Sequence, residues 1–172
     1  MALKKIFLMT RYDALAASSR IRFFNLKKYF EQSGFKPIFK PLFSNQYVKN
    51  TAEKKYQYGQ ILKSFFKRLV FLLKLKPNAL LFVEKEIFPW CPYILEKPFY
   101  LRHKIITDFD DAWHLKYLEI KNPFIKIFLK SKIFQVMKNC RLVIVGNPWL
   151  KNVAKKAGAQ KIRIIPTNFE EI

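Results

Sequence analysis

Glycine is scarce in this chain, with four in 172 residues. No GxGxxG follows the first strand-like run and no GxxxxGK[ST] occurs anywhere, which excludes the dinucleotide fingerprint and the P-loop, both of which need glycine where backbone must approach phosphate. Cysteine is almost absent. Cys91 and Cys140 stand 49 positions apart, so there is no CxxC pair and no disulfide framework, and the usage suits a reducing compartment. Cys91 lies between Trp90 and Pro92 with no base beside it, and both cysteines read as structural. Acidic residues number 12 against 33 basic ones, a formal net charge of +21. The longest apolar runs, near residues 69–73 and 142–146, are far too short to span a bilayer. The opening "MALKKIFLMTRYD" has neither the apolar length nor the small-residue cleavage site of a signal peptide. Internal repeats, low-complexity tracts and Gly/Ser linkers are also missing.

What is present fits a single domain with a core of its own. The hydrophobic fraction is 51%, with 18 Phe, 8 Tyr and 3 Trp, which excludes a disordered tail. Only seven of the basic residues are arginine, and the lysines are spread along the chain. A nucleic-acid site would cluster its charge and favour arginine, so nucleic acid is not the expected partner. Part of the lysine excess is compositional, in a chain also rich in Phe, Ile and Asn; the rest is read as attraction to an anionic membrane surface or a phosphorylated substrate.

Short apolar runs alternate with helical periodicity. Strands are expected at residues 4–10, 36–40, 79–84, 104–108, 142–146 and 162–166. Helices are expected at 19–33, stopped by Gly34, and at 60–76, 92–102, 123–138 and 148–157; residues 41–56 read as a loop. This alternation predicts an α/β fold. Its form would be one Rossmann-like, doubly wound parallel sheet of about six strands with helices on both faces. In the common 3-2-1-4-5 order, strands 1 and 4 flank the point where strand order reverses, and ligands bind beyond the carboxyl ends there. The segments leaving those strands are "TRYDALAASSRIR" (10–22) and "DFDDAWH" (108–114).

"KIITDFDDAWH" (104–114) concentrates three of the 12 acids, Asp108, Asp110 and Asp111, directly after a strand. Asp110 or Asp111 could cap a helix starting at Ala112, but capping does not account for three carboxylates, which repel unless compensated. A hard metal ion is one compensation and His114 adds a weaker ligand; His103 reads as a surface residue. In "ASSRIRF", Ser18 or Ser19 is the expected N-cap, which puts Arg20 and Arg22 in a first turn where positive charge is unfavourable unless an anion binds. Ser19, Arg20 and Arg22 are therefore a candidate phosphate site facing the aspartates. Glu84, Glu86 and Asn147 end other strands and are further candidates. In the helix at 60–76, Ile61, Leu62, Phe65, Phe66, Leu69 and Leu73 form the face expected to cover the sheet, with Lys63, Lys67 and Lys74 opposite. Phe71 falls among the lysines, a pattern suited to a membrane interface.

Taken in order, "SSRIRFFNLKKYFEQSGF", "DFDDAWH" and "CRLVIVGNPWLKNVAKKAGAQKIRIIPTN" resemble the N-terminal, acceptor-side half of GT-B fold glycosyltransferases, the group-1/family-4-like retaining enzymes. The resemblance spans essentially the whole chain. It implies hexosyl transfer from a nucleotide-sugar to a glycan or lipid-linked acceptor, in polysaccharide biosynthesis at the cytoplasmic face of the cell membrane. Asp108, Asp110 and Asp111 would orient acceptor hydroxyls, one acting as base; Arg20 and Arg22 would contact phosphate; Asn147 would lie near the cleft. No metal or other cofactor is implied, since helix dipoles and basic residues serve the diphosphate. The donor-binding half with its paired glutamates is absent from residues 1–172, so the nucleotide-sugar would be engaged only with a second domain, supplied for instance by a separate C-terminal half, and this half alone would be inactive. The alternatives are a metal-dependent GT-A enzyme using Asp108-Phe109-Asp110 as its DxD motif, and a noncatalytic basic module binding nucleic acid or anionic membrane.

Overall fold

A computed structural model describes residues 3–53 and 58–167. The chain is α/β, with a six-stranded parallel sheet flanked by helices in a Rossmann-like, doubly wound arrangement. Among the described residues no helix is long and apolar enough to cross a membrane. The chain divides into two compact units, Met1–Leu81 and Phe82–Ile172.

In the first unit, β1 (Lys4–Met9) pairs in parallel with β2 (Phe35–Phe39), from Lys4 opposite Phe35 to Leu8 opposite Phe39. Four helices are described: α1 (Ala17–Arg22), α2 (Lys27–Gln32), α3 (Asn45–Ala52) and α4 (Tyr58–Lys74). The expected helix at 19–33 is broken. A 3-10 turn at Phe24–Leu26 separates α1 from α2, and Phe23, at φ −133°, takes the break. The interruption turns Phe23 fully into the core and stacks Phe24 on Phe39 at 4.3 Å, which an unbroken helix could not do with two adjacent residues. Gly34 ends α2 at φ +80°, the left-handed position that glycine takes without strain.

The segment read as a loop contains α3, whose N-cap Ser44 accepts a hydrogen bond from the Tyr47 amide. Residues 54–56 of that segment lie outside the described residues. Helix α4 is rotated from the expected orientation. Arg68 and Leu72 are its buried residues, while Leu62, Phe66, Leu69 and Leu73 are exposed. Phe71 does not join the lysines at the surface. It packs edge-on against Phe7 at 5.5 Å and lies under the Lys40 ammonium. Arg68 turns inward because Nη2 donates to the carbonyls of Thr10 and Lys40 at 2.6 and 2.8 Å; these hydrogen bonds satisfy the buried charge.

The second unit contains most of β3 (Leu80–Glu84), with β4 (Lys104–Phe109), β5 (Leu142–Val145) and β6 (Ile162–Ile164). Asp108 sits opposite Ile144, and Val145 opposite Ile164. Its helices are α5 (Tyr93–Arg102), α6 (Trp113–Leu118), α7 (Pro123–Leu129), α8 (Lys132–Asn139) and α9 (Pro148–Lys156). The single helix expected at 123–138 is thus two helices. The break brings Lys132 to complete burial, where its Nζ meets Glu86 Oε2 at 2.7 Å and Glu96 Oε1 at 2.8 Å.

The sheet order is β2-β1-β3-β4-β5-β6, not the expected 3-2-1-4-5. After β2 the chain enters α3 and α4 instead of adding an outer strand, so β3 takes the place beside β1 and β4 lies one strand further out. The acidic segment after β4 therefore borders the carboxyl end of β3.

Candidate functional site

Strand β3 ends at Glu84, and the chain then makes a tight turn. The Glu86 amide donates to the Glu84 carbonyl at 2.8 Å, with Lys85 at the apex at φ +64°. This is the rare, strained form of the γ-turn, and a non-glycine residue there costs about 1–3 kcal/mol. Strand β4 holds the turn from both sides: the Lys85 amide donates to the Asp108 carbonyl at 3.0 Å, and Thr107 Oγ1 donates to the Lys85 carbonyl at 2.9 Å.

The turn aims the Lys85 ammonium along the carboxyl end of β4. Its Nζ lies 3.1 Å from Asp110 Oδ1 and 3.1 Å from Asp111 Oδ2. It also sits 4.7 Å from the centre of the Trp113 ring, a favourable cation–π distance. Exposure is graded, at 6% for the lysine side chain, 21% for Asp110 and 49% for Asp111. The cation is thus at the base of the cluster and the carboxylates open outward. Burial alone would lower the Lys85 pKa, but the charges of Asp110, Asp111 and Glu84 outweigh it and hold the pKa above its usual value. Lys85 is a permanent cation at neutral pH and cannot act as a base.

The three aspartates differ in burial. Asp108 lies within β4 and is 2% exposed. Neither Asp110 nor Asp111 caps a helix, since α6 has Ala112 as its N-cap with no side-chain bond. Among the described residues no group of three or more His, Cys, Asp or Glu side chains is placed to hold a metal ion. The Lys85 ammonium supplies the compensating charge, a partner that sequence reading did not assign.

Glu86 faces inward. Its carboxylate is buried and accepts from Trp113 Nε1 at 2.7 Å, Tyr117 Oη at 2.8 Å and Lys132 Nζ. Its role is to fix the indole beside Lys85. Glu84 is also buried. Asn147 caps α9, accepting from the Leu150 amide at 2.8 Å, with the remainder of its side chain exposed. Gly146 serves by its lack of a side chain, because a Cβ there would lie 3.2 Å from the Asp110 carbonyl oxygen and 3.4 Å from its Cα. Gly146→Ala should push the Asp110 backbone and cost about 1–3 kcal/mol, read as a lowered denaturation midpoint.

In the first unit, Ser19 is not a cap. It lies inside α1, is fully buried, and its Oγ accepts from the Tyr12 amide at 3.3 Å. Arg20 and Arg22 fall in the last turn of α1, where positive charge is favourable, and not in a first turn. Arg20 Nη1 donates to the carbonyls of Ala14 and Leu15, and Arg22 is buried. The electrostatic mismatch that suggested an anion at these arginines does not exist.

His103 is buried, not at the surface. His114 packs between Phe134 and Trp149 at ring distances of 5.6 and 5.5 Å, and burial lowers its pKa. Both cysteines are free, and burial raises both thiols, Cys140 to about 12, so neither is an activated nucleophile. No protein family, curated protein or solved structure matches the chain.

Proposed function

We propose that this chain is the acceptor-side half of a GT-B glycosyltransferase, with the Lys85–Asp110–Asp111 cluster as the place where acceptor hydroxyls are held. The observation that carries the reading is the strained γ-turn at Lys85, which sets a buried cation under two outward carboxylates at adjacent strand ends. Carboxyl ends of parallel strands are where ligands bind in such sheets, and strain maintained by surrounding hydrogen bonds marks functional positions. Carboxylates accept hydrogen bonds from sugar hydroxyls, and the ammonium can donate to a hydroxyl or ring oxygen. Either Asp110 or Asp111 is then placed to take the proton of an attacking hydroxyl. Transfer itself requires a donor-binding domain closed over this one, because the diphosphate leaving group has to be stabilised from both sides.

Trp113 beside Lys85 is a built-in reporter. Neutral hexose oligosaccharides should change its fluorescence saturably in the native chain and leave it unchanged in Asp110→Asn with Asp111→Asn. An equal response in both proteins contradicts the assignment.

A peripheral membrane location is part of the proposal and is favoured by α7. This helix exposes Phe124, Ile125, Ile127 and Phe128, with exposures of 76%, 49%, 61% and 62%, and carries Lys126 among them, a combination suited to an anionic bilayer surface. The chain should co-sediment with anionic liposomes at low salt, and Phe124→Ser with Phe128→Ser should reduce the bound fraction several-fold. Binding unaffected by the pair, or absent at low salt, would exclude α7 as the contact.

A further inference from the structure

A second site lies in the first unit. A cavity of about 550 Å³ opens between the segment following β2, the start of α3 and the inward side of α4. Four cationic residues line it, Lys40, Lys63, Lys67 and Arg68, against one acid, Asp13. Lys63 and Lys67 are successive turns of α4 and point to the same side. Lys40 enters from the end of β2, its Nζ held 4.8 Å over the Phe71 ring. Arg68 is anchored beneath by its bonds to the carbonyls of Thr10 and Lys40. Among the described residues neither Lys40, Lys63 nor Lys67 pairs with a carboxylate, and Asp13 is engaged by the Ala14 amide at 2.8 Å.

Like charges gathered around a concave space repel one another and concentrate the field inside it. A bound anion relieves that repulsion. Flexible ammonium groups converging from two elements are a phosphate-binding arrangement, each acting as a point charge on a different oxygen. The cavity is larger than a phosphate alone, and Phe39, Tyr47 and Phe71 line the remainder. We infer that it binds a phosphate-bearing organic ligand, the phosphate among Lys40, Lys63 and Lys67 and the organic portion against the aromatic wall. The inference does not depend on the glycosyltransferase reading. The phosphate could belong to a soluble phosphomonoester or to a phospholipid headgroup, and both are phosphate esters to the site.

The test is calorimetric titration of the whole chain at low salt with glycerol phosphate, beside sedimentation with vesicles containing phosphatidic acid. Saturable binding is expected. Lys63→Ala with Lys67→Ala should weaken it at least tenfold. Lys74→Ala with Lys76→Ala removes the same charge outside the cavity and should change it by less than twofold. Circular dichroism confirms folding, which these exposed lysines do not control. Glycerol phosphate binding by the native chain that is lost in Lys63→Ala with Lys67→Ala identifies a soluble ester as sufficient; vesicle binding alone, lost in the same variant, identifies the headgroup as the source. Equal weakening by the two lysine pairs, or no saturable binding of either probe, overturns the inference.

Discussion

Lys132→Met should destabilise the protein by about 3–5 kcal/mol, because it leaves the carboxyl groups of Glu86 and Glu96 buried without their shared cation. Lys132 is fully buried, with Glu86 Oε2 at 2.7 Å and Glu96 Oε1 at 2.8 Å, and it donates to the Phe88 carbonyl as well. Denaturant unfolding of the two proteins measures the difference. The same cluster gives stability a pH dependence. Burial is the main cause raising the Glu96 pKa, followed by an opposing pull from Lys132 and a further push from Glu86, and the result is about 7 against an ordinary 4.5. Between those pH values the folded protein holds a proton that the unfolded chain has released, so this group's contribution to stability falls as pH rises through the window, by about 1.4 kcal/mol per unit at most. In Glu96→Gln that slope should vanish. A stability that climbs with pH across the same window in the native protein, and is unchanged in the variant, would contradict the cluster as described.

The second large effect concerns the outward carboxylates. With a donor-binding half supplied, Asp110→Asn with Asp111→Asn should lower sugar transfer by about 10²–10⁴, the usual contribution of a positioned general base together with the orientation it provides. Asparagine retains an acceptor oxygen for the Lys85 ammonium at each position, but removing both charges leaves that buried cation uncompensated and lowers the unfolding midpoint, so transfer is measured where circular dichroism shows the double variant folded. Measuring labelled sugar passed from nucleotide-sugar to membrane glycolipids separates the two quantities. Undiminished transfer by the folded double variant would mean the aspartates only hold the turn.

The strands were legible because each is a short apolar run ended by polar or turn residues. "ALLFVE" and "LVIVG" could hardly be anything else in a chain alternating with helices, and the doubly wound parallel sheet followed from that alternation. Less visible were features set by contacts distant in sequence. Helix α4 is apolar on two sides, so periodicity did not determine which side faces in. The buried Arg68 did, through carbonyls at Thr10 and Lys40. Lys132 looked like one more surface lysine, and only Glu86 and Glu96, far earlier in the chain, give it a place in the core. Ser44 was a readable N-cap that the polar composition of its surroundings concealed.

The candidate site was legible in its acids and not in its cation. "DFDDAWH" is conspicuous in a chain with few acids, and its location at a strand end was correct. The chain bends after Phe109, so Asp110 turns toward Lys85 while Asp108 stays inside. Lys85 was one of 33 basic residues, and nothing local announces a positive φ at a lysine. Its partners are about 25 positions away, beyond the reach of pattern reading. Arg20 and Arg22 misled because a helix expected to start at Ser19 starts at Ala17 and stops at Arg22, which reverses the end of the dipole they meet.

The most direct test of the Lys85–Asp110–Asp111 assignment is an amide-resolved NMR titration of the whole chain with neutral hexose oligosaccharides, which have no charge for the basic cavity of the first unit to attract. The account predicts saturable shifts at the amides of Lys85, Asp110, Asp111 and Trp113 and at the Trp113 indole, all lost in Asp110→Asn with Asp111→Asn. Shifts that map elsewhere, or that persist in the double variant, would contradict it.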